Sequence, residues 1–226
     1  MITINIEATK YEITSKPTIE EWKALMKYDF NEYSQWTAII HTLTGAPIDQ
    51  LDEMDWEQKR LAVVMIAHAI TERQQVPLPD FNELEFGVWV DCEYYFAMGL
   101  EKSLDQITER IGHKTELAQE AMFVVESYMT WRDSIYRQYS ALFSYEDPDL
   151  EELVQTNKQT ATEVAKGWYK ILVDLASDDV LKIDAVTKLI TKEALNFMAL
   201  RKEKQTEELN RQKQKQRQHD IQRNRR

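Results

Sequence analysis

Residues 86–96 read FGVWVDCEYYF, the densest aromatic stretch of the chain. We predict that a helix begins near Trp89 and runs to about Leu100. The aromatic side chains of such a helix cannot all lie on one face. The stretch therefore either packs as core against several neighbouring elements or presents aromatic surface to a partner. The candidate partner-binding residues are Phe86, Trp89, Tyr94, Tyr95 and Phe96.

Apolar residues at helical spacing on both sides of this stretch predict a mainly α-helical protein, a multi-helix single domain. The chain has only five glycines and five prolines in 226 residues, which also favours long helices. Helices are predicted at residues 18–26, Tyr33–Leu43, Trp56–Arg73, Lys102–Ile111, Thr115–Phe143, Asp149–Ser177 and from about Ala185. Near the start of the chain, apolar and polar residues alternate at 2–6 and 11–13, which predicts a short β-hairpin within residues 1–15.

Several of the predicted helices carry end signals. Thr18 and Glu21 have the spacing of a capping box. Asp55 can cap the helix that follows it, and Gly45 stands where the end of a helix favours glycine. The run 177–179, Ser-Asp-Asp, predicts a break before the last helix.

The helix at 56–73 contains LAVVMIAHAI at residues 61–70, which is apolar on almost every side. Such a helix is typical of the centre of a core. One stripe, which we expect to face inward, consists of Leu61, Val64, Met65, His68 and Ala69. His68 and Glu72 lie four residues apart, but two ligands do not complete a zinc site. We therefore interpret His68 as a packed core histidine.

The charges of the chain are divided between two regions. The chain has 28 Lys and Arg residues and 39 Asp and Glu residues. Residues 201–226 contain ten of the basic residues and four of the acidic ones, which gives this region a net charge of +6. The remaining 18 basic and 35 acidic residues give residues 1–200 a net charge of −17. The apolar pattern also stops near residue 200, so we predict a helical body at 1–200 and a basic polar tail at 201–226. The tail is either a helical extension or disordered.

The basic tail suggests three roles. Its basic residues are Arg211, Lys213, Lys215, Arg217, Arg223, Arg225 and Arg226. The favoured hypothesis is that the tail is a solvated segment that aids solubility or docks on an acidic protein. Nucleic acid is the less favoured partner, because no aromatic residue follows Phe197 to stack on bases.

Residues suited to catalysis or metal binding have simpler explanations. Acidic clusters lie at 52–57 and 147–152, where a paired acid–base site or a divalent-ion site is the alternative to helix capping. The single cysteine, Cys92, has aromatic and acidic neighbours that disfavour its thiolate. Nucleophile-elbow, phosphate-loop and dinucleotide motifs do not occur in the sequence. We expect a protein that is not an enzyme and that uses no catalytic residue, cofactor or metal.

The sequence also predicts where the protein works. The start, MITINIEATK, lacks the basic-then-apolar pattern of a signal peptide. Apolar runs such as Leu61–Ala67 are far shorter than the roughly 18–20 residues that span a bilayer. A single cysteine fits a reducing compartment. We expect a soluble cytoplasmic protein without a membrane partner.

Four local patterns resemble one group of proteins. They are TIEEWKAL at 18–25 after the hairpin, IHTLTGAPIDQLDEM at 40–54, FGVWVDCE at 86–93, and EALNFMALRKEK at 193–204. Together they are similar to the tail and baseplate assembly chaperones of tailed bacteriophages, including the baseplate-hub group of contractile-tailed phages. The predicted helices Thr115–Phe143 and Asp149–Ser177 lie outside these patterns.

The resemblance implies a non-enzymatic protein that holds a tail or baseplate component in the host cytoplasm until assembly. It implies no cofactor and no catalytic residue. The partners would be phage tail or baseplate proteins, and association with further copies of the same chain stays open. A structural component that remains in the virion is the alternative, and a nucleic-acid-binding accessory that uses the basic tail is a third.

Overall fold

The computed structural model describes residues 2–6, 9–13, 15–143 and 160–223, with side chains at 9–12, 15–143 and 160–218. Two strands come first, β1 (Ile2–Ile6) and β2 (Thr9–Ile13). The helices up to residue 98 are α1 (Ile19–Leu25), α2 (Trp36–Thr44), α3 (Ile48–Asp52), α4 (Trp56–Thr71) and α5 (Phe86–Met98). Those that follow are α6 (Leu100–Arg110), α7 (Ala118–Gln138), α8 (Ser140–Phe143), α9 (Ala161–Leu175), α10 (Ile183–Thr187) and α11 (Thr191–Arg223). The predicted mainly α fold class is confirmed.

The predicted hairpin is present at the start of the chain. β1 and β2 pair antiparallel, with Ile2 opposite Ile13 and Ile6 opposite Thr9. A two-stranded hairpin is marginal by itself and needs packing against other elements. β2 contacts α2, and the Tyr11 hydroxyl donates a hydrogen bond of 2.7 Å to Gln50 Oε1.

The predicted end signals act as the sequence indicates. The Thr18 side chain accepts from the Glu21 amide, and the Glu21 carboxylate accepts from the Thr18 amide, which completes the capping box. Asp55 caps α4 in the same way with Gln58. Gly45 ends α2 with a φ of 65°, in the left-handed region that favours glycine. The break after α9 places Ser177 and Asp178 at φ values of 57° and 60°.

The predicted start of α5 and the predicted start of the last helix are wrong, and one pair of backbone hydrogen bonds explains both. α5 begins at Phe86 instead of near Trp89, and the last helix begins at Thr191 instead of near Ala185. The Phe86 amide donates to the Leu189 carbonyl at 2.7 Å, and the Thr191 amide donates to the Leu84 carbonyl at 2.9 Å. These two bonds pair Glu85 with Ile190 in an isolated antiparallel bridge, so the segment after α10 does not continue as helix.

By packing, the chain divides into two compact units that alternate along the sequence. Unit 1 contains residues 1–79 and 95–129, and unit 2 contains residues 80–94 and 130–226. In unit 1, α2 contacts α1, α3, α4 and β2. Its fully buried large side chains include Leu25, Ile39, Ile40, Leu51, Ile66, Leu104, Ile107 and Tyr128.

Unit 2 has a core rich in aromatic side chains. Its buried members are Phe86, Trp89, Ile135, Tyr139, Trp168, Leu172, Ala176, Val186, Ala194 and Leu195. Gly87 lets the first turn of α5 lie close to Thr187, since a Cβ on residue 87 would be only 2.9 Å from the Thr187 Cβ. The core of unit 2 is therefore built around the beginning of the aromatic stretch that the sequence singles out.

The C-terminal helix leaves this core near residue 200. α11 runs for 33 residues from Thr191 to Arg223, and every side chain from 203 to 218 is exposed. Of the two predicted states of the tail, the helical extension is the one observed as far as Arg223.

Removing residues 205–226 should leave the melting temperature within about 2 °C of the full chain, because the described side chains of this segment, 205–218, are all exposed. Thermal unfolding followed by circular dichroism measures this. A chain that ends at residue 190 is the control and should lose its cooperative transition, since it lacks the fully buried Ala194 and Leu195. A shift of more than about 5 °C for the shorter deletion would show that the tail packs on the body.

Candidate partner-binding surfaces

The first two predicted partner-binding residues lie in the core of unit 2. Phe86 and Trp89 have no exposed surface. The Trp89 ring packs at steep angles against Trp131 and Trp168, with centroids 5.6 and 6.4 Å away, and Phe86 packs edge-on against Trp168 at 5.9 Å. The prediction that these two residues contact a partner is therefore wrong in this structure, and the alternative that they are core is observed.

The other three aromatic residues of the stretch are half-buried. Tyr94 belongs to unit 2, whereas Tyr95 and Phe96 belong to unit 1. The Phe96 ring is stacked on Tyr128 with a centroid distance of 6.0 Å, and the Tyr95 carbonyl accepts a hydrogen bond from Ser103. Of the five candidates, Phe86 and Trp89 are therefore core, and Tyr94, Tyr95 and Phe96 keep partly exposed side chains.

A buried charged network lies next to the aromatic core of unit 2. Arg132 binds the Glu93 carboxylate through two hydrogen bonds of 2.5 and 2.6 Å, and the Tyr136 hydroxyl donates to the same carboxylate at 2.9 Å. The Arg132 guanidinium also lies 4.7 Å from the centroid of the Tyr136 ring. The Glu93 side chain is only 6% exposed, so these three contacts supply the partners that a buried carboxylate needs.

This network changes the acidity of Tyr136. Burial raises the pKa of the Tyr136 hydroxyl well above its ordinary value, and the neighbouring Glu93 carboxylate raises that pKa further. Both effects act because ionisation would place a second negative charge in a buried position. The network is a structural element of unit 2, and its residues have no further role that the geometry supports.

One side of α4 in unit 1 exposes apolar side chains where the sequence predicts core. The buried side chains of α4 are Lys59, Ala62, Val63, Ile66, Ala69 and Ile70. Leu61 and Val64 are 58% and 54% exposed, Met65 is half-buried and His68 is exposed. Of the predicted inward stripe only Ala69 is fully buried, and the prediction is wrong for Leu61, Val64 and His68. A helix that is apolar all round can bury only the side that meets its neighbours.

The residues Leu61, Val64, Met65 and His68 share one face of α4, since they are spaced at three, four and seven positions. We call this set the α4 apolar face. His68 is consequently not a core histidine. Its neighbour Glu72 accepts a hydrogen bond of 3.3 Å from Gln119 Nε2, so Glu72 is engaged within unit 1.

The acidic clusters follow helix ends where they are described. Asp55 caps α4, and the Asp52 carboxylate lies 3.6 Å from Lys59 and accepts a hydrogen bond of 3.0 Å from Thr37. The cluster at 147–152 lies outside the described residues. Within the described chain, His, Cys, Asp and Glu side chains form no group of three or more that could hold a metal ion. Cys92 is buried.

The predicted basic residues lie on α11 as far as the structure describes them. Arg211, Lys213, Lys215 and Arg217 are exposed side chains. Arg223 is the last residue of the helix, with its side chain outside the described set, and Arg225 and Arg226 also lie outside it. In the part of the chain that is described, none of the helices has the length and apolar character needed to cross a bilayer.

Comparison with family models, with curated protein sequences and with solved structures finds no match for this chain. The functional argument therefore depends on the residues themselves. The α4 apolar face is the feature that sequence reasoning missed. The sequence did contain a sign of it. Residues 61–70 are apolar on almost every side of the helix, and one neighbouring element can bury only one side.

Replacing Trp89 with alanine should lower the free energy of unfolding by about 3–5 kcal/mol, because it removes a fully buried indole. The matched control is Tyr169→Ala, at an exposed aromatic residue of the same unit, which should change stability by less than about 0.5 kcal/mol. Urea denaturation followed by tryptophan fluorescence and circular dichroism gives both values. Equal effects would contradict the assignment of Trp89 to the core.

The raised pKa of Tyr136 predicts a loss of stability at alkaline pH. The folded chain keeps a proton that the unfolded chain releases above its ordinary pKa of 10.0, so the stabilisation is complete below that pH and is lost as pH rises further. The free energy of unfolding should therefore fall less steeply between about pH 9.5 and 11 in Tyr136→Phe than in the natural chain. Tyr169→Phe is the control and should keep the natural slope. Identical slopes in all three proteins would contradict the prediction.

Proposed function

We propose that this chain is a non-enzymatic assembly protein of a tailed bacteriophage. It would hold a tail or baseplate component in the host cytoplasm until that component is built into the particle. The observation that carries the proposal is the α4 apolar face, which exposes Leu61 and Val64 on a regular helix. Clustered apolar surface on a folded protein is typical of a site that contacts another protein.

The four sequence patterns that resemble phage assembly chaperones add support, because they lie in ordered parts of the chain. They include α1, the end of α2 with Gly45 and α3, the beginning of α5, and the beginning of α11. The role in phage assembly comes from this resemblance. The proposed client surface differs from the one that the sequence suggested, since Phe86 and Trp89 are buried.

The α4 apolar face suits the capture of an apolar segment that the client exposes before assembly. Its side chains recur at three- and four-residue spacing, which is the spacing that packs against a helix of a partner. Burial of a few aliphatic side chains in such a contact is enough for reversible binding, as a protein that later releases its client requires.

The function is tested by co-expressing the tagged chain with each protein encoded by the tail genes that flank its own gene. A tail or baseplate protein should be retained in a pull-down, and failure to retain any of them would overturn the proposal. Mass spectrometry of purified particles separates a chaperone from a virion component. A chaperone should be absent or scarce, and a fixed number of copies per particle would favour the structural alternative.

The double variant Leu61→Ser/Val64→Ser should weaken client retention by about tenfold or more, because it removes apolar contact area. The control is Val180→Ser/Leu181→Ser, which changes the same two residue types at exposed positions of unit 2 and should leave retention unchanged. Both variants should keep melting temperatures within about 2 °C of the natural chain. Equal loss of client in the two variants would contradict the assignment to α4.

A further inference from the structure

Unit 2 contains an open groove between α9 and α11, beside α8, with a volume of about 520 Å³. It is lined by Leu142, Lys170, Ile171, Asp174, Met198, Arg201, Lys202 and Gln205. Four of these residues, from Met198 to Gln205, follow each other on α11 at intervals of three, one and three positions. They therefore form one face of that helix.

The floor of the groove is apolar and rests on the core. Leu142, Ile171 and Met198 are partly buried and pack against the aromatic cluster of unit 2. Apolar side chains that are supported from below and open to solvent above can accept apolar side chains of a ligand at little cost of reorganisation.

The rim of the groove is cationic. Arg201 donates to the Asp174 carbonyl at 2.8 Å and lies 3.1 Å from its carboxylate, and Lys202 donates to the Ala141 carbonyl. These contacts hold two of the cations in place, while Lys170 is exposed at the edge. Three cations against the single carboxylate of Asp174 make this site positive, although residues 1–200 of the chain carry a net charge of −17.

The same face continues along α11 beyond the groove. Leu209 follows Met198 by about three helical turns and so lies in line with it, and Lys213 flanks that line one turn later. Leu209 is half-exposed and Lys213 is exposed. The groove and its continuation, from Met198 to Lys213, extend for roughly 22 Å along the helix.

We propose that this groove binds an acidic amphipathic helix of the client protein. This inference rests on the proposed function and adds a second contact to it. Apolar side chains of the client helix would lie on the floor and on Leu209, and its carboxylates would face Lys170, Arg201 and Lys213. The positive charge of the rim favours an acidic partner. Nucleic acid is disfavoured, because its phosphates would find no polar partner on the apolar floor and would be repelled by the Asp174 carboxylate.

The probe is a fluorescein-labelled helical peptide of about 14 residues, which matches the length of the surface, with leucine on one face and glutamate elsewhere. Two matched peptides carry lysine at every glutamate position or serine at every leucine position. In fluorescence anisotropy with the full chain, the acidic leucine peptide should bind at least about tenfold more tightly than either control. Equal binding of the lysine peptide or of the serine peptide would overturn the proposal.

Two exposed positions test the location. Lys170→Glu and Leu209→Ser should each weaken binding of the acidic peptide by about fivefold or more. Lys182→Glu makes the same charge change at an exposed lysine of unit 2 outside the groove and should leave affinity within about twofold. A loss in Lys182→Glu equal to that in Lys170→Glu would mean unspecific charge attraction and would overturn the site.

Competition identifies other occupants. A short DNA duplex that displaces the peptide at equal concentration would assign the groove to nucleic acid and overturn the proposal.

Residues 144–159 of the chain itself are acidic and lie outside the described residues. Changing their five acids to amides should leave peptide affinity unchanged. A gain of about tenfold would make that segment the occupant and overturn the proposal.

The groove and the proposed function fail separately. If Lys170→Glu abolishes peptide binding and leaves client retention unchanged, the client is not the occupant of the groove, and the groove proposal is wrong while the assembly function stands. If the natural chain retains its client but does not bind the peptide, the groove proposal is wrong and the assembly function stands. If the peptide binds and no tail or baseplate protein is retained, the assembly function is wrong.

Discussion

The enclosure of the Trp89 side chain is the constraint on which the structure of unit 2 depends. The indole lies in α5 without exposed surface, and its ring neighbours come from α7 and α9. Because protein interiors are packed as densely as organic crystals, three helices that are distant in sequence must keep fixed separations around this one ring. The backbone bonds between residues 84–86 and 189–191 then place the beginning of α11 beside the beginning of α5.

Burial of Phe86 and Trp89 also removes these two residues from the surface that a partner can contact. An aromatic residue that fills a core contributes stability and is removed from the surface, so the aromatic stretch cannot serve both purposes at the same positions. Exposed apolar surface outside this stretch includes aromatic residues such as Trp56 and Tyr169 as well as two aliphatic surfaces. These two are the α4 apolar face in unit 1 and the floor of the groove between α9 and α11 in unit 2.

Most charged side chains lie where they keep contact with solvent or have a partner of opposite charge. Acidic residues cap helices at Thr18–Glu21 and at Asp55, where the amides of the first turn require acceptors. Other acids pair with cations, such as Glu126 with Arg73, and Glu93 is buried and held by Arg132 and Tyr136. Cations instead collect along α11, which leaves the core near residue 200 and keeps its basic side chains in solvent. A strongly acidic chain thus has one basic helix to offer to an anionic partner.

The sequence alone is enough to predict the fold class, the hairpin, the Thr18–Glu21 capping box, the Asp55 cap and the break after α9. These features depend on periodicity and on residues within a few positions of each other, and such local rules can be read from the chain. The packing of the folded chain was needed to show which stripe of α4 is buried, that Phe86 and Trp89 are core, and that cations from α9 and α11 meet over an apolar floor. Each of these depends on neighbours far away in sequence. An apolar stripe looks the same whether a neighbour covers it or leaves it open.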